Sequence, residues 1–194
     1  MAKKTLYCLI LAALLVACIE EPREPDNRQF IVSVDQNVAN RLDFQMVVAQ
    51  ASGGGTVNLA DYLGRVILIQ FTTWDCDMSY AKMKYIEREI WEEHKNNPNF
   101  KLLGIARRGE NTPERVDDLI KRTGVTYPIA IDPMQEFFMR FAERDGGATR
   151  DILIDSDGYI VKLTRFFNRE AGNPEFFEMV DLIDKLLAAK NESE

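Results

Sequence analysis

The residue type best suited to chemistry in this sequence is a cysteine, Cys76, which is followed three residues later by Ser79. A cysteine thiolate can attack a disulfide sulfur to give a mixed disulfide, or attack a peroxide to give a sulfenic acid. Ser79 lies one helical turn beyond the sulfur, where its hydroxyl can donate a hydrogen bond to the thiolate or simply start the helix. Thr73 and Trp74 come just before Cys76 and are further candidates for contact with a reacting sulfur.

Charges near Cys76 act on the thiol in opposite directions. A cysteine at the N-terminus of a helix is close to unpaired N–H groups and to the positive end of the helix dipole, and both favour the thiolate. Asp75 and Asp77 bracket the cysteine, and a like charge nearby disfavours a second anion. The sequence does not decide which effect prevails, so a reactive thiol and an inert one both stay open.

The N-terminus carries the features of an export signal. Residues 1–4 include two lysines, and residues 6–16 form an apolar run that suits the core of a signal peptide and is too short to span a bilayer. The run leads into Leu15-Val16-Ala17-Cys18, which resembles a lipobox, the motif whose cysteine becomes the lipidated first residue of the mature protein. We therefore predict a lipoprotein signal peptide over residues 1–17 and lipid attachment at Cys18.

The expected processing leaves one thiol in the folded domain. Cys8 lies in the removed segment and Cys18 carries the lipid, so Cys76 is a single free thiol that cannot form an intramolecular disulfide. Acidic residues and prolines after Cys18 predict an extended tether over residues 18–40, followed by one domain over residues 41–190. The predicted location is the cell envelope, where the protein is exported from the cytoplasm and anchored to a membrane through its lipid.

The composition excludes two classes of function. The formal net charge of −7 disfavours nucleic acid as a partner, because an acidic surface repels phosphate. The chain has one histidine, His94, which we expect on a solvated rim at the edge of an apolar stripe. One histidine and scattered cysteines cannot assemble a zinc-type ligand set, so neither a metal nor another cofactor is predicted.

The elements that position Cys76 form a βαβ unit. Residues 66–71 are a short, nearly continuous apolar run, which is typical of a strand buried on both faces. Apolar residues then recur at helical spacing over residues 78–95, and residues 101–106 indicate a second buried strand. Cys76 therefore lies at the turn from the first strand to the helix.

The remaining segments predict a mixed α/β arrangement. A hairpin is predicted around residues 42–44 and Gly53-Gly54-Gly55, before the βαβ unit. After the unit we predict a helix from Thr112-Pro113 to Gly124, a strand over 127–131, and a short helix over 134–144 that is rich in core phenylalanines. The sequence then predicts an antiparallel hairpin over 152–154 and 159–164 and a final helix that begins at Asn173-Pro174.

This order of elements resembles the thioredoxin-like proteins of the TlpA and AhpC/TSA (redoxin) kind over residues 42–189. The residues that carry the resemblance are Asp43-Phe44, the segment 56–65, the segment 71–76, and Ile154-Asp155 with Asp157-Gly158. The resemblance implies an α/β thioredoxin-like fold: a central mixed sheet with helices on both faces, an N-terminal hairpin extension and a βα insertion.

Members of this family usually carry C-x-x-C at the start of the first helix, where the first cysteine attacks a disulfide and the second resolves it. Here Ser79 holds the second position. The resemblance therefore implies a single-thiol oxidoreductase that exchanges mixed disulfides with envelope protein thiols or disulfides, or with a small thiol. Two further positions depart from the family: Asp75 separates Trp74 from Cys76, and Thr149 stands where a cis-proline usually faces the active site.

Two alternative functions stay open at this point. The missing second cysteine, the missing cis-proline and the two flanking aspartates favour a redox-inactive module that binds a partner in the envelope. The spacing of Thr73 and Cys76 instead resembles the T-x-x-C of one-cysteine peroxiredoxins, with Arg150 where such enzymes place an arginine near the thiol. Ile69 occupies the position of a proline that those enzymes carry further upstream.

Overall fold

The computed structural model describes residues 30–147, 150–164, 167 and 173–192. In this part of the chain, seven strands form one mixed sheet in the order β2-β1-β5-β4-β3-β6-β7. The strands are β1 Gln45–Val48, β2 Thr56–Asn58, β3 Val66–Thr72, β4 Phe100–Arg107, β5 Ile129–Asp132, β6 Arg150–Ile154 and β7 Ile160–Thr164. Strands β3, β4 and β5 run parallel, and all other neighbouring pairs are antiparallel.

The helices follow the strands with boundaries that the sequence indicates locally. They are α1 Asp77–Ile86, a π-helical continuation Glu87–Trp91, α2 Glu92–His94, α3 Pro113–Thr123 and α4 Pro174–Asn191. The α3 helix begins where the Thr112 hydroxyl accepts a hydrogen bond from the Arg115 N–H, and it ends at Gly124 with φ +72°. None of the described helices combines the length and apolar character needed to cross a bilayer.

Strand β3 is buried along its whole length because both faces of the sheet are covered. Val66 and Leu68 pack with the long helices α1, α3 and α4, whereas Ile67, Ile69 and Phe71 pack on the opposite face. That opposite face is covered by N-terminal residues and by the 3₁₀ helices Ala39–Arg41, Leu59–Tyr62 and Phe138–Arg140. The predicted α/β class, with a central mixed sheet, helical cover on both faces and an N-terminal hairpin, is confirmed.

The predicted helix over residues 134–144 is wrong. The structure has only the 3₁₀ helix Phe138–Arg140, and Gln135 before it adopts φ +61°, a left-handed conformation that lies outside the α-helical region. The Asp132 carboxylate accepts a hydrogen bond of 2.9 Å from the Phe138 N–H and holds the turn. The phenylalanines of this segment are core residues, as the sequence predicts.

Two expectations about exposure also need correction. Residues 30–40, predicted to be part of an extended tether, instead pack in the domain, because Phe30 pairs with Ala142 and the side chains of Phe30 and Val38 are buried. His94 is not on a solvated rim: it is 9% exposed, and its Nε2 lies 3.1 Å from the Asp184 carboxylate of α4. Both differences arise from packing against segments that are distant in the sequence.

A buried ion pair anchors α1 to the sheet. The Lys82 ammonium on α1 lies 2.5 Å from the Asp151 carboxylate on β6, and the two side chains are 1% and 0% exposed. The Thr164 hydroxyl on β7 donates to the same carboxylate at 2.6 Å and lies 3.2 Å from the ammonium. Because the helix that follows Cys76 is attached here to two strands, this pair fixes the orientation of the helix on the sheet.

Lys82→Met is expected to lower the free energy of unfolding by about 3–5 kcal/mol, because it leaves the Asp151 charge buried without its partner. The double variant Lys82→Met/Asp151→Leu removes both charges and should recover most of that loss. Urea unfolding of the two variants and the parent protein measures the difference. Equal losses in the single and the double variant would show that the pair does not act as a unit.

Candidate functional site

Cys76 lies at the edge of the sheet where the parallel strands have their carboxyl ends. It occupies the cap position immediately before α1, with φ −123° and ψ 113°, and its carbonyl accepts the Tyr80 N–H at 3.2 Å. Its thiol is free and half-buried. Within the described residues no group forms a hydrogen bond to its sulfur. Nor do any three histidine, cysteine or carboxylate side chains there come together as a metal-binding group.

Ser79 is fully buried beneath the turn that presents Cys76. Its hydroxyl oxygen accepts a hydrogen bond of 3.4 Å from the Thr73 N–H. Ser79 therefore contacts the backbone of the turn and stabilises it from the buried side. A hydrogen bond from Ser79 to a thiolate at Cys76 stays a prediction.

The Thr73 hydroxyl is directed to Asp75 and not to the sulfur. It donates to the Asp75 carboxylate at 2.7 Å. This hydrogen bond holds the pKa of the Asp75 carboxyl below its usual value, against the opposing effect of partial burial, and the positive charges of Arg108 and Arg115 act in the same direction as the bond. Asp75 is therefore ionised at neutral pH and places a negative charge next to Cys76.

Asn111, in the loop between β4 and α3, is a site residue that sequence reasoning missed. Its amide oxygen accepts the Trp74 N–H at 2.8 Å, and its amide nitrogen donates to the Thr73 hydroxyl at 3.3 Å and to the Arg107 carbonyl. The side chain is fully buried. A signal was available in principle, because Asn111 follows the strand next to β3, and neighbouring parallel strands end at the same edge.

The Trp74 side chain packs against α3. Its indole N–H donates to the Asp118 carboxylate at 3.3 Å, and the Arg115 guanidinium lies 4.7 Å from the ring centroid. The Trp74 carbonyl accepts a hydrogen bond from the Tyr80 hydroxyl, whose pKa is raised by partial burial so that it keeps its proton. The described contacts thus make Trp74 a link between the cysteine turn and α3.

Arg150 does not lie on the side of the sheet that carries Cys76. It pairs with Phe71 across β3 and β6, so both side chains point to the face opposite α1. There its guanidinium lies 4.9 Å from the Phe30 ring centroid, and its Nε donates to the Gly147 carbonyl at 3.2 Å. The described contacts of Arg150 are thus to Phe30 and Gly147, and its expected proximity to the Cys76 thiol stays a prediction. Thr149 lies outside the described residues.

A second arginine, Arg107 at the end of β4, was not anticipated. It is fully buried, and its guanidinium donates to the Gly146 carbonyl, to the Gly147 carbonyl at 2.6 Å and to the Gln135 amide oxygen at 2.7 Å. Burial lowers the pKa of Arg107 to about 9, and the nearby positive charge of Arg150 adds to this effect. It remains charged at neutral pH and holds the carbonyls of Gly146 and Gly147 in place.

Comparison with known proteins identifies relatives of this chain. The sequence matches the family described as Redoxin over residues 31–178. Among functionally curated proteins none matches.

Solved structures agree with this family match. A Bacteroides thetaiotaomicron protein, described as a candidate protein disulfide isomerase, is 38% identical with a TM-score of 0.73, and the match covers 82% of this chain and 93% of that one. A secreted disulfide oxidoreductase from Mycobacterium tuberculosis is 16% identical with a TM-score of 0.58, covering 78% and 99%. A secreted thiol-disulfide isomerase from Corynebacterium glutamicum is 16% identical with a TM-score of 0.61, covering 87% and 96%. The latter two show the fold alone.

Thr73→Val should raise the pKa of the Asp75 carboxyl and lower the free energy of unfolding at pH 7 by about 1–2 kcal/mol, because a donor to a charged acceptor is lost. The folded-state pKa of Asp75 is depressed, so this stabilisation is present above the usual value of 3.8 and is lost as the pH falls through the lower folded-state value. Urea unfolding at pH 7 and pH 3 measures the change.

Thr72→Val is the matched control for this experiment. The Thr72 hydroxyl lies 3.4 Å from the Met83 sulfur, a neutral acceptor, so the effect of its removal should not depend on pH. If the loss for Thr73→Val is equally independent of pH, the bond to Asp75 is not what stabilises the turn.

Proposed function

The chain belongs to the redoxin family of thioredoxin-like proteins, and on that premise we propose that it is an exported, membrane-tethered thiol-disulfide oxidoreductase that acts through Cys76 alone. The observation that carries the proposal is the half-buried free thiol of Cys76 at the start of α1, at the carboxyl edge of the parallel strands. In open α/β sheets this edge is where ligands bind.

The proposed reaction is thiol-disulfide exchange in two steps. The Cys76 thiolate attacks one sulfur of a client disulfide, a new sulfur–sulfur bond forms, and the second client sulfur leaves as a thiolate. Ser79 cannot form a disulfide, so an outside thiolate must attack the mixed disulfide and release Cys76. The outside thiol ends as one half of a new disulfide and Cys76 returns unchanged, so the protein transfers disulfides without holding one internally.

The residues around the sulfur have opposing effects on this chemistry. Cys76 is at the N-terminus of α1, where unpaired N–H groups favour the thiolate. Asp75 opposes the thiolate with a charge that Thr73 stabilises, while Arg108 and Arg115 offset part of that charge.

Anchoring in the envelope is the second part of the proposal. Cys18 and the signal segment lie outside the described residues, so this part depends on the lipobox-like motif of the sequence. Two structures of the same fold are described as secreted, and the proposed export of this chain rests on its own signal-like N-terminus. On this proposal the lipid on Cys18 holds the domain at a membrane, and its clients are thiols or disulfides of envelope proteins.

A binding module without redox activity is the second candidate function. The observation that favours it is that the hydroxyls of Thr73 and Ser79 are both engaged with other groups of the turn. A one-cysteine peroxidase receives no support from this arrangement. The Thr73 hydroxyl is directed to Asp75, and Arg150 lies on the opposite face of the sheet.

Incubation of the native protein with oxidised glutathione should give one glutathione adduct at Cys76, which a second thiol then releases. Intact-mass and peptide mass spectrometry locate the adduct, and Cys76→Ser is the control that should carry none at this site. The rate is compared with that of the urea-unfolded protein. An adduct that forms only after unfolding would contradict the oxidoreductase proposal and leave the binding module.

Ser79→Cys should convert the protein into a dithiol oxidoreductase. Residues three apart in the first turn of a helix have Cα atoms about 5 Å apart, which suits a disulfide. We expect an internal disulfide between Cys76 and the introduced cysteine, self-resolution of the glutathione adduct and reduction of insulin disulfides.

Ser79→Ala is the matched control, and it should keep the stable adduct of the parent protein. If the adduct is equally long-lived in Ser79→Cys, the Cys76 sulfur is not directed towards the first turn of α1, and the proposed exchange geometry is wrong.

A further inference from the structure

An apolar groove opens on the same edge of the sheet as Cys76. Its volume is about 360 Å³, within the range of small-molecule and side-chain binding sites. Residues from β1, from the loop between β4 and α3, from the first position of α3, and from β5 and the residue after it line the groove: Val47, Gly109, Asn111, Thr112, Pro113, Ile131 and Pro133. Val47 on β1 is 57% exposed although it is fully apolar.

The groove is linked to the turn that presents Cys76 through one shared residue. Asn111 lines the groove, and its amide oxygen accepts the Trp74 N–H at 2.8 Å. Ile131 packs against the core beneath the long helices and pairs with Val47, so the groove lies on the face of the sheet that carries α1. A chain that passes over Cys76 therefore meets the groove without crossing the sheet.

The separation of groove and thiol defines the length of a suitable occupant. Strand β4 lies between β3 and β5, and neighbouring strands are about 4.8 Å apart, so the groove over β5 is roughly 10 Å from the end of β3. An extended peptide advances about 3.3 Å per residue. About three residues of an extended client therefore span the distance from the end of β3, where the turn that carries Cys76 begins, to the groove.

The charges along this edge indicate the polarity of the occupant. Asp75, Asp77, Glu110 and Glu114 are exposed here. Of the neighbouring arginines, Arg115 is stacked on Trp74 and also donates to the Glu110 carbonyl, and Arg108 acts on Asp75. The edge is acidic on balance, and an acidic rim attracts basic residues of a client.

We infer that this groove, called the β5 groove below, binds an apolar side chain of an extended polypeptide client, three residues from the cysteine that reacts with Cys76. The client also carries lysine or arginine beside that cysteine. The inference rests on the proposed function, and it deepens it by selecting basic, extended polypeptides over small thiols as clients.

The test uses the full chain and synthetic peptides whose cysteine is linked by a disulfide to thionitrobenzoate. Attack of Cys76 on the peptide sulfur releases the coloured aromatic thiolate and forms the peptide adduct. One series carries Lys-Cys with leucine three residues before or after the cysteine, and a second replaces that leucine by alanine. The measured quantity is the ratio of the two second-order rate constants.

A leucine peptide should react about tenfold faster than its alanine counterpart, because the groove removes the larger side chain from water. Replacing the peptide lysine by glutamate should slow the reaction, and added salt should reduce this difference. Val47→Asp should bring the leucine-to-alanine ratio close to one. Val34→Asp, at an equally apolar side chain that is 46% exposed and does not line the groove, is the control and should keep the ratio of the parent protein.

Binding is also measured without any reaction at Cys76, with the same peptides carrying serine in place of cysteine. The leucine peptide should shift the methyl NMR signals of Val47 and Ile131, and the alanine peptide should not. This measurement distinguishes the groove inference from the oxidoreductase proposal. Methyl shifts without adducts at Cys76 would support the groove inference and contradict the oxidoreductase proposal. Equal rate constants for both peptides, together with no methyl shifts, would contradict binding of the client in the β5 groove. A change of oligomeric state in Val47→Asp that leaves the leucine-to-alanine ratio of rate constants unchanged would contradict it as well.

Discussion

Burial of β3 on both faces is the constraint on which the rest of the structure depends. Its backbone is paired with β4 on one side and β6 on the other, and its side chains alternate between two core clusters. The chain can leave this position only at the end of the strand, at the edge of the sheet. The cysteine turn lies at this edge because the strand before it is apolar on both faces and is therefore buried at the centre of the sheet.

That turn begins inside the protein, so its polar backbone groups need partners other than water. Side chains supply them: Ser79 accepts from the Thr73 N–H, Asn111 accepts from the Trp74 N–H, and Tyr80 donates to the Trp74 carbonyl. A serine in the place of a second cysteine thus has a physical use in the structure. On the proposed function, the same serine limits Cys76 to exchange with thiols from other molecules.

Buried charges then hold the surroundings of the turn in place. Lys82 attaches α1 to β6 and β7 through Asp151, and Arg107 fixes the carbonyls of Gly146 and Gly147 before β6. Neither side chain reaches water, so each depends on fixed partners to remain charged. The β5 groove is formed by elements held in the same way, with Asn111 common to the groove and the turn.

The sequence by itself determined those features that depend on neighbours along the chain. The apolar run of β3, the helical spacing after Cys76 and the caps Thr112 and Gly124 of α3 all appear where their local pattern places them. The family resemblance added the topology and the position of the thiol. The residues next to Cys76 along the chain could thus be named, but not what their side chains contact.

Only the tertiary structure decided which groups meet across the sheet. The face on which Arg150 lies depends on the register of β6 against β3, and residues 134–144 did not form an α-helix because Asp132 and the core hold a turn there. Arg107, and the contacts of Asn111 with the cysteine turn, gave no signal in the neighbouring sequence, since the partners belong to other segments. Propensity and periodicity act between residues a few positions apart, whereas hydrogen-bond partners and burial are set by strands that meet only after the chain has folded.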